Sequence, residues 1–504
     1  MVSGNPSREV IGAGVVAIVG ALFVTSSWAQ VTGNPQPPIV GFTPRVAITT
    51  SDRRIGGEFN FEHTLRSNGY VGNPLTGQAD TNYVIGVLDS GAITDVFSSH
   101  SAAQLGIEGP WVTSNTIPLG GSAGFVDGPV TERLGVFTQG LGAIGVDGKL
   151  DLTQLKGHTN VSGVVIPDDP DTQFVLPSVI GTPLLAFHET VINNDVTRNV
   201  VVDGRRIFSP DVKVLNPGEG PTLSHQIAIE FGGPLAGLAT TAAYYPDILN
   251  LEFEIPFRPT VIDITGGSLL SGGGLFFANV GVLEGEPSPI NPIQNLRMAV
   301  DTGAQGSVIS RKVAANLSLD LNHPDFMLDV GGIGGVAKDV PGFFLDFVRI
   351  NASGGALDFN QVPVLVQDLG SPEGGTLDGV LGMNFFWDRN LVLKPSLTGT
   401  GFLEVSEPVI FKGDLDASGV VDAFDVDDFE LALADLDAFA ATNPTVNPIL
   451  AGDITGDGDF NAFDVNGFEA LLTAAVTTVP EPASLAWVLA GVLSLVWRGE
   501  QNRR

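Results

Sequence analysis

Apolar runs along the chain end twice in the same polar pattern. Residues 83–88 and 298–300 are apolar, and each run is followed by an Asp-Ser/Thr-Gly triplet, an aliphatic stretch and a short Ala-rich helix pattern. In ungapped register, residues 89–105 and 301–317 share Asp, Gly, Ala, Val, Ser, Ala, Ala and Leu. Such a pattern predicts a buried strand that ends in a tight turn. One carboxylate per repeat is what a two-carboxylate hydrolase needs.

Two further signals recur in the same order after each triplet. A Gly-rich stretch follows at 120–124 and at 331–335, and an apolar-apolar-Gly signal follows at 179–181 and at 380–382. The first Gly-rich stretch also matches the Gly-x-Ser-x-Gly pattern of esterases, which requires a helix directly after it. Phe-Val-Asp-Gly-Pro follows instead and breaks any helix. A hairpin that could cover a site is therefore predicted.

Together, these motifs resemble a two-lobed aspartic peptidase of the pepsin/retropepsin superfamily, built from tandem retropepsin-like units. The resemblance spans about 45–407 and implies a mostly β, bilobal β-barrel body with lobes at 45–225 and 226–407. In this family the order is catalytic loop, flap hairpin, and a strand that crosses behind the loop. The Tyr or Trp that is usual near the flap tip of pepsins is not evident, and residues 186–290 align to neither lobe.

The resemblance implies a catalytic pair, Asp89 and Asp301, in an exported aspartic endopeptidase that acts on protein or peptide substrates. Two carboxylates within about 3 Å cannot both ionise, so one retains a proton and the other can activate a water molecule. No cofactor is expected for this chemistry. The loops would be supported by Ser90, Gly91, Thr302 and Gly303.

Other interpretations stay open at this point. Asp89 and Asp301 could be turn residues of a Gly-rich β protein, or the body could be a catalytically inactive, peptidase-like surface binding or adhesion protein. Asp95 lies six residues after Asp89 but has no acidic counterpart at Ser307. We therefore expect Asp95 to be a solvated loop carboxylate.

A second internal repeat lies between the body and the C-terminus, at 414–425 and 453–464. Oxygen-bearing side chains at loop positions 1, 3, 5, 9 and 12, with Gly at position 6, suit a hard cation such as Ca²⁺. The predicted ligands are Asp414, Asp416, Ser418, Val420, Asp422 and Asp425 in the first loop, and Asp453, Thr455, Asp457, Asp459, Asn461 and Asp464 in the second. Plain acidic turns are the alternative.

An Asp at the last position, and a helix only after each loop, make this unit similar to a dockerin. The resemblance implies a small α-helical module at 411–475 with structural Ca²⁺ and a cohesin-like partner. The residues before the last ligand are Ala-Phe in both loops, at 423–424 and 462–463. This pair is apolar for a cohesin-contacting face, so packing on its own chain is the other possibility.

The two ends of the chain predict export. Residues 1–29 have the basic, apolar and small-residue parts of a signal peptide, with an uncleaved anchor as the alternative. Residues 479–504 combine Pro-Glu-Pro, an apolar run and a basic tip, which closely resembles the PEP-CTERM sorting signal. That resemblance implies processing by an exosortase-type peptidase, and a plain anchor is the alternative. We expect a cell-envelope or extracellular protein that is transiently or permanently membrane-anchored.

Composition narrows the function further. A net charge of −32 with only 24 Lys and Arg argues against a nucleic-acid partner. The 64 Gly and 33 Pro favour a turn-rich β fold. The chain has no Cys, which excludes disulfides and thiol nucleophiles, and its six His are scattered, which makes a zinc hydrolase improbable.

Overall fold

The fold was analysed on a computed structural model of the chain. It describes residues 11–12, 16–18, 36–53, 59–60, 83–167, 177–202, 205–233, 242–245, 260–264, 273–285, 288, 291–396, 399–456 and 459–478. Most of the predicted signal segment 1–29, all of the sorting segment 479–504 and the predicted ligand Asp457 lie outside these residues.

The described residues are mostly β, as the turn-rich composition predicts. The strands are β1 Ile11–Gly12, β2 Val16–Ile18, β3 Arg45–Arg53, β4 Phe59–Asn60, β5 Val84–Leu88, β6 Val96–Ser98, β7 Val112–Gly121, β8 Gly124–Thr131, β9 Leu134–Gly140, β10 Lys156–Val161, β11 Val164–Ile166, β12 Val179–Ile180, β13 Glu189–Val202, β14 Arg205–Leu215, β15 His225–Gly232, β16 Ala242–Tyr245, β17 Thr260–Ile264, β18 Leu275–Leu283, β19 Gln294–Val300, β20 Ser307–Ile309, β21 Phe326–Gly332, β22 Gly335–Ile350, β23 Leu357–Val366, β24 Gly379–Leu381, β25 Arg389–Lys394 and β26 Gly401–Pro408.

The helices are fewer, and most of them follow the body. They are α1 Ser99–Leu105, α2 Thr182–Leu185, α3 Arg311–Asn316, α4 Asp425–Ala434, α5 Leu436–Thr442, α6 Pro448–Gly452 and α7 Val465–Thr478. Single 3₁₀ turns occupy Gly109–Trp111, Leu141–Ala143, Leu152–Gln154 and Met383–Phe386.

The two triplet repeats fold in the same way. The segment from β5 to β12 and the segment from β19 to β24 each run strand, Asp loop, strand, short helix, hairpin and crossing strand. The helices α1 and α3 begin at equivalent serines, Ser98 and Ser310, whose side chains accept backbone N–H groups of the first turn. Each Gly-rich stretch forms a hairpin tip, between β7 and β8 and between β21 and β22.

The crossing strands lie behind the Asp loops with matching registers. In the first repeat, β12 pairs parallel with β5 and antiparallel with β6. In the second, β24 pairs parallel with β19 and antiparallel with β20. The apolar-apolar-Gly signal is therefore a short strand held between the two arms of each loop, and its apolar residues are buried.

Two large sheets hold these repeats. The first has the order β1-β7-β8-β11-β6-β12-β5-β3-β9-β10-β17-β16, with β4 paired to β3. The second has the order β14-β13-β25-β26-β15-β18-β19-β24-β20-β23-β22-β21-β2. The pairing crosses the expected boundary at 225–226 in both directions, because β13 and β14 join the second sheet while β16 and β17 join the first.

A separate helical unit follows the body. Helices α4 to α7 enclose their own small core, in which Phe429 stacks on Phe468 with ring centroids 4.1 Å apart and meets Phe460 edge-on at 5.0 Å. The loops at 414–425 and 453–464 precede α4 and α7, and these helices begin at or directly after the last loop residue. Among the described residues, no helix is long and apolar enough to cross a membrane.

Candidate active site

The two triplet aspartates lie at the ends of buried strands. Asp89 follows β5 and Asp301 follows β19, and both side chains are almost fully buried. The crossing strand accepts the N–H of each: Asp89 N donates to Ile180 O at 2.9 Å, and Asp301 N donates to Leu381 O at 3.0 Å. The backbone of each aspartate is therefore held by the crossing strand of its own repeat.

The structure brings these two carboxyl groups together. A Cβ atom on Gly91 would lie 2.2 Å from Oδ2 of Asp301, and one on Gly303 would lie 2.4 Å from Cγ of Asp89. Side-chain carbons do not approach other atoms so closely. The third residue of each triplet must therefore be glycine, because each loop backbone packs against the carboxyl group of the other.

The second triplet residues connect the loops through reciprocal hydrogen bonds. Ser90 Oγ donates to Val300 O at 2.7 Å and accepts from Thr302 N at 3.0 Å. Thr302 Oγ1 donates to Leu88 O at 2.7 Å and accepts from Ser90 N at 3.1 Å. Serine performs the same bonding as threonine here, because only the hydroxyl is used.

Burial dominates the electrostatics of the pair. It raises the pKa of Asp301 to about 6, although the N–H groups of Gly303 and Ala304, at 2.8 and 2.9 Å from Oδ1, favour its charged form. Burial, then the charge of Asp301 and a hydrogen bond with it, raises the pKa of Asp89 well above its ordinary value. The two carboxyl groups therefore titrate as a coupled pair that retains a shared proton to higher pH than isolated aspartates would.

Polar side chains pin each crossing strand, and one of them corrects an expectation. Asp95 is fully buried rather than solvated: its Oδ1 accepts from Gly181 N at 2.9 Å, and His158 Nε2 lies 2.8 Å from its Oδ2. Ser307 is its positional counterpart, because Ser307 Oγ accepts from Gly382 N at 2.9 Å. The expectation of a solvated Asp95 is wrong because Asp95 and Ser307, which differ in charge, both accept a backbone N–H of the crossing strand.

A cavity of about 240 Å³ lies beside Asp301 under the first hairpin. Gly91 and the hairpin tip at 120–125 border it, and exposed Asp368 lies at its edge. An apolar part of its wall is formed by Leu275, Ala299, Leu369, Leu377 and Val380. Such a wall would exclude water from one side of the reacting group and favour an apolar substrate side chain.

Phe125 is the site residue that the sequence reasoning missed. It follows the tip of the first hairpin, borders the cavity and is 64% exposed. Its ring lies over Gly120, where an added Cβ would be 2.7 Å from the ring edge. The signal was present: an aromatic residue directly after a Gly-rich tip, in place of the Tyr or Trp sought there.

The tip of the second hairpin packs against the first hairpin. Ile333, at the tip between β21 and β22, is buried in an apolar cluster of the first repeat that includes Leu119 and Val164. A Cβ on Gly121 would lie 2.5 Å from the Cβ of Ile333, and Gln367 Nε2 donates to Ser122 O. Conversely, Ile93 of the first repeat packs into an apolar cluster of the second repeat.

The first acidic loop has a geometry suited to a hard cation. Ligand oxygens of Asp414, Asp416 and Asp425 converge to within 4.8 Å of one another. Asp425 is fully buried, and its two oxygens accept the N–H groups of residues 415, 416 and 422. Gly419, at the sixth loop position, has a φ of 87°, which a glycine adopts without strain. Ser418, Val420 and Asp422 lie in the same loop, where Ser418 Oγ bonds Val420 O at 3.1 Å.

The second acidic loop repeats the framework with one change. Asp464 is fully buried and accepts from Thr455 N and Asn461 N, both at 2.9 Å. Lys412 Nζ lies 3.8 Å from Oδ2 of Asp453 and donates to the Asp453 carbonyl. A cationic side chain thus contacts the first predicted ligand of this loop. Asp459 belongs to the same loop.

A family match supports an aspartic peptidase fold for part of the chain. The model of a family described as aspartyl protease matches residues 288–385, which contain Asp301, the second hairpin and β24. No curated protein matches the chain. Among solved structures, the aspartic proteinase from Irpex lacteus is similar, at 12% identity and a TM-score of 0.31, over 72% of this chain and 97% of that one.

Proposed function

We propose that this protein is an aspartic endopeptidase that hydrolyses peptide bonds with water activated by Asp89 and Asp301. One observation carries the proposal: two buried carboxyl groups with raised pKa values meet, and one of them, Asp301, lines a cavity that the first hairpin borders. Two acids that share a proton can act as base and acid at the same time.

The proposed roles follow from the hydrogen bonds. Asp301 Oδ1 accepts two backbone N–H groups, whereas Asp89 Oδ1 accepts the N–H of Gly91 at 2.7 Å, so we assign Asp301 as the anion that takes a proton from the bridging water. Asp89 retains the shared proton and donates it to the carbonyl oxygen of the peptide bond. No covalent intermediate forms. The resulting gem-diol then collapses: Asp301 gives its proton to the leaving nitrogen as the carbon–nitrogen bond breaks, and a hydroxyl of the gem-diol returns a proton to Asp89, which restores the pair.

The test is cleavage of an unstructured protein by the full chain. Asp89→Asn and Asp301→Asn should each lower kcat/KM by about 10²–10⁴-fold, as expected for a lost acid or base, and pepstatin should inhibit the wild type. Asp147→Asn, in an exposed turn, is the matched control and should cleave normally. A wild type that cleaves nothing would favour the inactive binding protein, and Asn variants that cleave as fast as the wild type would show that the catalytic pair is wrongly assigned.

The helical unit is proposed to be a dockerin-like module that binds structural Ca²⁺ at both loops. The convergence of three carboxylates in the first loop supports this assignment, and the ion would neutralise their mutual repulsion. Calorimetric titration of the full chain with CaCl₂ should show two sites, with one lost in Asp414→Ala. Asp427→Ala, an exposed change outside the loop, should retain both. Unchanged binding in Asp414→Ala would refute the assignment.

Export, anchoring and a cohesin-like partner complete the proposal. Phe424 and Phe463, which precede the last loop ligands, are 78% and 61% exposed, which leaves them available to a partner protein. Removal of 1–29 and of the 479–504 tail would be seen as a mass difference between the precursor and the mature protein. An intact chain in the cytoplasm would contradict this part.

A further inference from the structure

A short segment near the start of the described chain joins the helical module to one catalytic loop. This strap, residues 37–41, contacts the second acidic loop, where Ile39 N donates to Gly456 O at 3.0 Å. At its other end, Gly41 N donates to Gln305 O at 2.8 Å, and Gln305 Nε2 returns a bond to Gly41 O at 3.3 Å.

Gln305 belongs to the turn that orients Asp301. The preceding residue, Ala304, donates its N–H to Asp301 Oδ1, and partly buried Ile39 packs against the apolar cluster that contains Ala304. The strap therefore contacts the part of the loop whose N–H groups stabilise the proposed anion.

The strap also contacts the 3₁₀ turn Met383–Phe386, which follows the crossing strand of the second repeat. Asn384 Nδ2 donates to Pro38 O at 3.3 Å, and Asn384 Oδ1 accepts from Ser307 Oγ at 2.7 Å. Ser307 in turn accepts the N–H of Gly382. Both arms of the Asp301 loop are thus connected to the same five residues.

The strap fits closely against the body. A Cβ on Gly41 would lie 2.5 Å from the carbonyl carbon and oxygen of Met383 and 2.7 Å from Asn384 N. All three are backbone atoms, so any larger side chain would displace the strap. Pro37 and Pro38 are buried, and their fixed φ angles limit the freedom of the segment before Ile39.

The module is held to the body at other places besides the strap. Thr197 N donates to Thr445 O at 2.9 Å, and Arg206 Nε lies 2.6 Å from Asp437 Oδ1. Lys412, which contacts Asp453, also lies 4.8 Å from the ring centre of Trp387. Order in the second loop can therefore be transmitted through the strap.

We propose that residues 37–41 are a positioning element that couples the order of the second acidic loop to the Asp301 loop. The inference deepens the proposed function, because the coupled loop carries one of the two proposed catalytic carboxylates. When the second loop is ordered, the strap holds Gln305 and Asn384, and residues 301–306 are restrained. When the loop loosens, that restraint is lost.

The internal repeat supplies a matched test by hydrogen exchange of residues 301–306. Asp464→Ala and Asp425→Ala remove the same buried residue from equivalent loops, but the strap bonds the second loop through Gly456. We expect exchange at 301–306 to rise several-fold in Asp464→Ala and to stay at the wild-type rate in Asp425→Ala. Equal rises in both would mean general loosening of the module and would overturn the proposal.

The strap itself is tested by Gly41→Ala. Gly399→Ala is the control, because a Cβ on Gly399 would meet only Ser396 Oγ at 3.5 Å. Exchange at 301–306 should rise in Gly41→Ala and not in the control. If Gly41→Ala unfolds, Ile39→Pro removes the N–H that bonds Gly456 together with the packing of the Ile39 side chain, and it should give the same rise. Wild-type exchange at 301–306 in the folded strap variant would overturn the proposal.

These measurements need no substrate. A wild type without peptidase activity that still shows the exchange pattern would refute the proposed function and leave the coupling standing. An active wild type in which the strap variants leave hydrogen exchange at 301–306 unchanged would refute the coupling and leave the proposed function standing. In an active enzyme, Gly41→Ala should lower kcat more than it changes KM, because the strap contacts the Asp301 loop and not the substrate cavity.

Discussion

The two repeats use different chemistry to hold the same backbone. In the first, Gly181 N donates to the carboxylate of Asp95, which is paired with His158; in the second, Gly382 N donates to the hydroxyl of Ser307 at the same 2.9 Å. The fold thus requires a hydrogen-bond acceptor at this position, and that acceptor can be either a carboxyl group or a neutral hydroxyl. Equivalent places in a duplicated fold are better recognised by hydrogen-bonding capacity than by residue identity.

Burial of the acceptor costs more free energy in the first repeat than in the second. A buried carboxylate needs a partner, and His158, fully buried itself, supplies it. Ser307 is neutral, and it satisfies its hydroxyl on Asn384 Oδ1 at 2.7 Å. We call Asp95 and Ser307 the pins of their crossing strands. Loss of its pin should destabilise the first repeat more than the second.

The largest expected effect comes from deleting the pins. Asp95→Ala leaves His158 and the N–H of Gly181 without their partner and should lower the free energy of unfolding by about 3–5 kcal/mol. Ser307→Ala breaks neutral hydrogen bonds only and should cost about 1–3 kcal/mol. Denaturant unfolding of the full chain would compare them.

Asp147→Ala, at an exposed turn, controls for the loss of a carboxylate and should change stability by less than either pin variant. Equal losses in Asp95→Ala and Ser307→Ala would mean that the charge of the pin is irrelevant. A larger loss in Ser307→Ala would reverse the comparison.

A smaller effect concerns the pH dependence of stability. The pKa of Asp301 is raised to about 6 in the folded chain, above its ordinary value of 3.8. Its contribution to stability is therefore fully present below pH 3.8 and is lost as the pH rises through about 6. Asp301→Asn should remove that part of the decline, on the order of 1–3 kcal/mol.

Unfolding midpoints measured from pH 4 to 8 would test this linkage. Asp301→Asn should gain stability over the wild type at pH 8 and show little gain at pH 4. Asp147→Asn should follow the wild-type curve. A pH-independent gain in Asp301→Asn would mean that repacking, and not charge burial, separates the variant from the wild type.

Much of the local structure of the two repeats could be predicted because short sequence motifs determine it. The triplets, the Gly-rich hairpin tips and the apolar-apolar-Gly strands each depend on a few neighbouring residues, and the described structure has them in the predicted order. The meeting of Asp89 with Asp301 follows from the repeat. Their catalytic role stays a prediction.

The rest depended on contacts that are distant in sequence. Asp95 was misjudged because its partner His158 lies on β10, and nothing local marks that residue as a neighbour. The exchange of strands across residue 225 has the same origin, since β13 finds β25 only in the folded chain. Ile39 carried no signal either, because its partner Gly456 belongs to the module at the other end of the chain.

The pairing of β13 with β25 has a consequence for synthesis. Thr190 pairs with Leu393, so β13 leaves the ribosome long before its partner strand exists. During that interval the hairpin of β13 and β14 presents an open edge of N–H and C=O groups, which can pair with another nascent chain. A chain truncated before β25 would therefore be an aggregation-prone fragment rather than a folded first lobe.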